Sequence, residues 1–121
     1  MIDTMNPRVV SRIVERNGVS HMLVLPGFIE LWLDSGLLRD SPNAPRLLEA
    51  GGSIVTPDLH RRMGEAFTGQ FLEVWGSTET TGVALTSRGE GGAILSGYAV
   101  KVIDEAGREL PVGEVGELCL S

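Results

Sequence analysis

Trp75-Gly76-Ser77-Thr78-Glu79 gathers an aromatic face, a residue without a side chain, two hydroxyls and a carboxylate in consecutive positions. Each group has a use with a nucleotide. An indole stacks on a purine, an interaction worth about 1–3 kcal/mol per base in single-strand binders. A glycine lets the backbone come close to a ligand. Thr78 could donate to a phosphate oxygen. Glu79 could hold Mg²⁺, which keeps most of its waters and needs only one or two carboxylates. The same residues also read as a capped turn, with Trp75 in the core, Ser77 or Thr78 as a helix N-cap and Glu79 as a first-turn acid. Spacing alone leaves both readings open.

Other reactive side chains are sparse. The two histidines fall at the start of an apolar run (His21) and on the expected exposed side of a helix (His60), so no metal-ligand cluster is expected. Ser77 lacks a Gly-x-Ser-x-Gly elbow and an evident base, which argues against nucleophilic catalysis. Gly89-Glu90-Gly91-Gly92 is glycine-rich but has no following Lys-Ser/Thr, so it reads as a connector. Arg61 and Arg62 read as helix-face decoration, and Asp104, Glu105 and Glu109 as a solvated hairpin. The single cysteine, Cys119, lies between Leu118 and Leu120 and is expected to be a buried strand thiol.

The elements that must carry the loop follow from punctuation. Asn6-Pro7 is an N-cap followed by proline at the first helical position, and Val9, Val10, Ile13 and Val14 repeat at helical spacing until Asn17-Gly18. His21 to Leu25 reads as a buried strand closed by Pro26-Gly27. A second helix follows from Phe28 to Ser35, with Phe28, Leu31, Trp32 and Ser35 on one side and Gly36 as its stop. Ser41 to Pro45 reads as a loop, Arg46 to Ala50 as a strand, and Gly51-Gly52-Ser53 as a turn. Thr56-Pro57-Asp58 repeats the start signal for a helix whose stripe is Leu59, Met63, Ala66 and Phe67, with Gly69 as its stop.

A strand from Phe71 to Trp75 then runs into the Gly76 loop. The order and the continuous apolar strands predict an α/β fold: a partial parallel sheet flanked by helices. Ligands in such sheets bind at the carboxyl ends of the strands. Both Gly51-Gly52-Ser53 and Gly76-Ser77-Thr78-Glu79 leave those ends. Beyond Ser87 the pattern becomes β-like, with Tyr98 to Ile103, a turn at Asp104 to Gly107, and Gly116 to Leu120. A small antiparallel β portion is therefore expected after the α/β part, with the change of character dividing residues 1–88 from 89–121.

Totals exclude several classes. A chain of 121 residues with 42% hydrophobic and 21% charged residues suits one globular core and not a disordered tract. The net charge of −6 argues against nucleic acid, whose nonspecific affinity comes from Lys and Arg. The apolar runs around Met22–Leu25 and Phe28–Leu33 are broken by Pro26, Gly27 and Glu30, far short of the roughly 18–20 residues a membrane span needs. Met1 to Asn6 has no basic and apolar leader pattern. With one cysteine, a reducing, cytoplasmic setting is the expected one.

Four segments in order carry a family resemblance: Glu49-Ala50-Gly51-Gly52-Ser53, then Leu59 to Phe67, then Trp75-Gly76-Ser77-Thr78-Glu79-Thr80, then Gly113-Glu114-Val115-Gly116-Glu117-Leu118. Together they resemble the core of the adenylate-forming superfamily, which includes acyl- and aryl-CoA ligases, peptide-synthetase adenylation domains and luciferases. Val24-Leu25-Pro26 is near the Val-Pro strand end that precedes the glycine pair in that family. The resemblance covers nearly the whole chain.

It implies two-step carboxylate activation. ATP and a carboxylic acid give an acyl adenylate and pyrophosphate, and a thiol, of CoA or a carrier pantetheine, then takes the acyl group. Carried over by position, Trp75 would cover the adenine, Gly76 and Ser77 would complete the loop around the nucleotide, Thr78 would contact the α-phosphate and Glu79 would bind Mg²⁺. Gly51, Gly52 and Ser53 would line the adenine and acyl pocket.

The chain departs from the family pattern at Trp75, more often Tyr, and at Gly92-Ala93-Ile94-Leu95-Ser96-Gly97, which stands where Gly-basic-Pro-x-x-Gly is usual. The family's phosphate loop with its lysine lies upstream of the matching region; its ribose-binding aspartate, hinge and C-terminal lysine lie downstream. The resemblance therefore implies an internal piece of the large N-terminal domain that does not catalyse adenylation alone. A reading from a different class is a non-catalytic nucleotide-binding or protein-interaction module on the same fold piece, whose exposed apolar faces would need a partner.

Overall fold

In a computed structural model the described residues are 5–39, 43–88 and 92–121. Ser41 and Pro42 of the expected loop and Gly89 to Gly91 of the expected connector lie outside them. Three helices and seven strands are formed among the described residues: α1 (Pro7–Asn17), β1 (His21–Val24), α2 (Pro26–Asp34), β2 (Leu47–Ala50), α3 (Pro57–Ala66), β3 (Gln70–Ser77), β4 (Gly82–Ser87), β5 (Gly92–Ile94), β6 (Val100–Ile103) and β7 (Glu117–Leu120).

Helix ends follow the expected chemistry. Asn6 Oδ1 accepts from Arg8 N–H at 3.0 Å, and Pro7 needs no partner for a missing N–H. Gly18 closes α1 in the left-handed region, while Val19 N–H reaches back to the Val14 carbonyl at 3.1 Å. Thr56 Oγ1 accepts from Leu59 N–H at 3.2 Å at the start of α3. Helix α2 begins earlier than expected: Pro26 and Gly27 form its first turn instead of closing β1. A proline preset for helical φ begins a helix as readily as it ends a strand. Only Glu30 and Asp34 are polar in α2, so its sequence does not define its buried side. Ile29 is fully buried, whereas the expected stripe residue Leu31 is 48% exposed.

A mixed sheet of order β1-β2-β3-β4-β5 is parallel from β1 to β3 and antiparallel from β3 to β5. The expected antiparallel β structure thus starts at Gly82, because β3 runs through Trp75 to Ser77 and returns as β4. A second, two-stranded antiparallel sheet joins β6 and β7. Its turn is held by the Asp104 carboxylate, which accepts from Ala106 N–H at 2.9 Å and Arg108 N–H at 2.9 Å. The Arg108 backbone and side-chain donors hold that carboxyl below its usual range. Cys119 sits on β7 and is half-buried, not buried, since this small sheet has little to cover it.

All three helices lie on one face of the large sheet. Val10, Val14, Phe28, Ile29, Trp32, Leu59 and Met63 form one cluster with Leu48 and Ala50 of β2, and Met22, Val24 and Phe71 pack against it. The buried Trp32 indole N–H is satisfied by Ser11 Oγ at 2.8 Å. The opposite face, which carries Leu23, Leu47, Glu49 and Leu72 by strand alternation, has no helix among the described residues. Leu23 there is 61% exposed. Continuous apolar strand sequence marks faces that can be covered, and among the described residues the helices cover one of them.

His21 stands on the open face with Nε2 2.9 Å from Glu49 Oε2. His60, expected on a solvated surface, is instead turned inward from α3, 3.2 Å from Glu73 Oε2 and edge-on to Phe71. Arg61 pairs with Asp58 and Glu65 on its own helix, and Arg62 with Asp34 of α2.

Candidate functional site

The carboxyl ends of β1, β2 and β3 lie side by side, since Val24 pairs with Ala50 and Ala50 with Glu73. Chain leaving all three strands meets in a cleft of about 730 Å³. Its wall consists of Leu23, Val24 and Leu25 from β1 and its exit, Gly51 and Gly52 after β2, and Val74, Gly76, Ser77 and Thr78 from the end of β3. Thr81, Gly82 and Val83 complete it from the start of β4. None of these side chains is charged. A second concavity of about 700 Å³ lies at the opposite, amino-terminal ends of the same strands, around His21, Arg46 and Gln70. Because glycine loops and hydroxyls are concentrated at the carboxyl ends, the first cleft is the candidate site.

Backbone needs explain the glycines. Gly52 adopts φ +82°, with Leu25 Cδ2 3.1 Å from the position a Cβ would take. A side chain there is strained by both the conformation and the neighbour. Gly51 N–H donates to the Val24 carbonyl at 3.3 Å, tying the exits of β1 and β2 together. At Gly76 a Cβ would fall 1.9 Å from the Gly82 carbonyl oxygen. At this point β3 and β4 also change register, Trp75 pairing with Leu85 and Gly76 with Val83, so Ala84 is the extra residue of a bulge.

Five of the residues singled out from sequence come together on the cleft wall: Gly51, Gly52, Gly76, Ser77 and Thr78. The other three are nearby but face elsewhere. Ser53 is exposed beyond the Gly52 turn. Trp75 alternates to the helix-side face of β3 and stands in a cross-strand row with Leu85 and Ile94, 42% exposed. Glu79 lies at the tip of a four-residue hairpin loop, residues 78–81, between the paired Ser77 and Gly82. No helix follows the loop, so it is not a helix N-cap.

A contributing wall to which the sequence reading assigns no ligand role is Leu23-Val24-Leu25, although Val24 and Leu25 belong to the resembling strand end; its signal is the rule that every parallel strand delivers chain to the same edge. Thr80 ends the resembling segment at residues 75–80 but carries no assigned role there. It accepts from Ser77 N–H at 2.8 Å, inside the neck of the loop.

A family model described as "AMP-binding enzyme" matches residues 2–121. The chain belongs to this family of AMP-binding enzymes. Among curated relatives it is 32% identical over 128 residues to the PKS-NRPS hybrid synthetase ATPKS of Aspergillus niger, covering 98% of this chain and 7% of that protein. It is 29% identical over 116 residues to the fatty acid–[acyl-carrier-protein] ligase ScoC of Streptomyces coeruleorubidus, covering 86% of this chain and 22% of that protein. The fold also matches the crystal structure of ATP-bound MatB from Rhodopseudomonas palustris, with a TM-score of 0.84 and 25% identity over 100% of this chain and 25% of that one. The chain thus spans a quarter or less of the length of each of these proteins.

Within the AMP-binding fold, Glu79 has a carboxylate held in its charged form. The Ser77 hydroxyl and the Glu79 backbone N–H both donate to it and lower its pKa below the ordinary carboxyl value. A lowered pKa means the charge persists as pH falls and is lost only below the ordinary range. Replacing Ser77 by alanine removes the larger contribution, so the Glu79 titration midpoint should move up. Carbon-13 NMR of the Glu79 carboxyl against pH measures this directly, and an unmoved midpoint would remove Ser77 from the role.

Among the described residues no group of three or more His, Cys, Asp or Glu is placed to hold a metal. A fully liganded protein cage is therefore absent from them. A lone ionised carboxylate at the tip of a hydroxyl-bearing loop suits Mg²⁺, which takes one or two carboxylates together with substrate phosphates and water. No helix among the described residues is long and apolar enough to cross a membrane.

Proposed function

We propose that this chain forms one wall of the nucleotide and acyl site of an ATP-dependent carboxylate-activating enzyme of the acyl-CoA ligase type. The observation that carries the reading is the convergence of the Gly51-Gly52 turn and the Gly76-Ser77-Thr78 strand end on one uncharged cleft at the carboxyl ends of three parallel strands.

Two sides of β3 then take two parts of the substrate pair. The cleft side, apolar at Leu23, Leu25, Val74 and Val83, takes the acyl group of a carboxylic acid. The opposite side presents the Trp75 face to the adenine, with Gly51, Gly52 and Ser53 contributing the turn that borders both. Thr78 donates to the α-phosphate, and Glu79 holds Mg²⁺, which when bound neutralises phosphate charge. A carboxylate is a poor nucleophile toward polyanionic ATP, so the chain's contribution is positioning and neutral hydrogen-bond donation more than proton transfer. The acceptor in the second step is the thiol of CoA or of a carrier pantetheine.

Residues 1–88 and 89–121 are two parts of one adenylation domain in this reading, with β5 fastening the second part to the first sheet. The open face around Leu23 is covered by the remainder of that domain, the setting is cytoplasmic, and the 121 residues alone do not turn over substrate. The test is acid-dependent exchange of pyrophosphate into ATP by the protein that carries this chain, against a panel of aromatic, fatty and amino acids. Exchange with one class and not the others supports the reading. Absence of exchange with all of them, alongside retained ATP binding by calorimetry, would replace it with a non-catalytic nucleotide-binding module.

A further inference from the structure

The loop at residues 78–81 is held by more than its own turn. Its only internal backbone bond runs from Thr81 N–H to the Thr78 carbonyl at 3.1 Å. Thr81 adopts φ +54°, the only non-glycine residue among those described with positive φ. A β-branched side chain in the left-handed region is unfavourable and persists where its surroundings fix it.

Thr80 supplies that fixation at the neck of the hairpin. Its hydroxyl accepts from Ser77 N–H at 2.8 Å. The same oxygen lies 2.9 Å from the Ser77 carbonyl and 2.8 Å from the Gly82 carbonyl, and its single proton serves one of them at a time. One side chain thus spans both stems. The Thr80 carbonyl in turn accepts from the hydroxyl of Tyr98, the chain's only tyrosine, which is half-buried just ahead of β6. Tyr98 therefore pins the loop from outside the hairpin, through the segment that leads into the second sheet.

We infer that Thr80 and Tyr98 are positioning residues that set the loop conformation in which Thr78 and Glu79 are presented. The catalytic consequence rests on the function proposed above; the latch itself does not. Removing the Tyr98 hydroxyl frees the loop to relax away from the strained Thr81 backbone. It also uncouples the loop from the second sheet.

The experiment joins two readouts on the protein that carries this chain. Amide hydrogen exchange by mass spectrometry across residues 77–83 should run about three- to tenfold faster in Tyr98→Phe and Thr80→Val, as expected for the loss of one hydrogen bond, and stay at the parental rate in Thr80→Ser. In acid-dependent pyrophosphate exchange the first two variants should lose about tenfold in kcat with KM for the acid unchanged, and Thr80→Ser should keep parental kcat. Unchanged hydrogen exchange in both Tyr98→Phe and Thr80→Val overturns the latch. Faster hydrogen exchange with parental kcat overturns the positioning role. A parental protein without pyrophosphate exchange defeats the proposed function and leaves hydrogen exchange to decide the latch. If Thr80→Val does not fold, Tyr98→Phe, which leaves the hairpin's own bonds in place, decides alone.

Discussion

Gly76→Ala should destabilise the protein by about 3 kcal/mol or more, the upper end of what overpacking one methyl group costs. The added carbon would stand 1.9 Å from the Gly82 carbonyl oxygen, 2.8 Å from the Gly82 carbonyl carbon and 3.1 Å from Val83 Cα. All three are backbone atoms of the partner strand, so no side-chain rotation relieves the contact. Relief requires parting β3 from β4 where the bulge already uses up the slack in their register. Gly64, in the middle of α3, is the internal control: nothing lies within 4 Å of its Cβ position, and alanine there should stabilise by roughly 0.5–1 kcal/mol through helix propensity. Urea melts of both variants against the parent measure the difference. A Gly76→Ala midpoint equal to that of the parent would show that the strands part at little cost and that Gly76 is not there for close approach.

Glu79→Gln should lower acid-dependent pyrophosphate exchange by about 10²–10³-fold, the range seen when one group that stabilises transition-state charge is removed. The substitution is nearly isosteric and the side chain is exposed at a loop tip, so stability should hold within about 0.5 kcal/mol. The combination separates charge from structure: a large loss of exchange with unchanged melting assigns the effect to the carboxylate. Raising the Mg²⁺ concentration should recover part of the loss if the carboxylate acts by holding the ion. Exchange at the parental level in Glu79→Gln would remove Glu79 from any role in charge neutralisation.

Much of the scaffold is legible where local chemistry has one solution. Asn6-Pro7 and Thr56-Pro57 each combine a capping side chain with a proline that fits only the first helical turn, and both mark real helix starts. Leu25-Pro26 lacks a capping side chain, so the same proline reads equally as the end of β1. Leu59, Met63, Ala66 and Phe67 are all buried, as their spacing implies, because α3 has polar residues on its other side. Helix α2 has almost none, and its inward side is chosen by tertiary packing of Ile29 and Trp32.

The strand β4 is illegible for a different reason. Gly82 to Ser87 is a short, mixed run whose pairing depends on β3 extending past Trp75, and that extension depends on the hairpin neck held by Thr80. The two glycine-bearing segments of the site can be read locally, since each needs close backbone approach or positive φ. Which side of β3 each loop residue faces is set by strand alternation, and thus by where the strand ends. The sheet face that no helix among the described residues covers is not encoded locally at all: Leu23, Leu47 and Leu72 look like core residues whether or not anything lies over them.

The strand order β1-β2-β3-β4-β5 also sets the sequence of assembly. From β2 to β5 each strand pairs with the one synthesised just before it, so these pairings among the described residues need no distant segment. As the chain emerges from the ribosome, α2 and α3 close the two parallel crossovers one after the other, and β4 and β5 then add by short antiparallel returns, the local kind of contact that forms fast. Tyr98 reaches Thr80 only after all five strands have been made. The loop at residues 78–81 is thus fastened from outside its hairpin only after the five strands described here have been made.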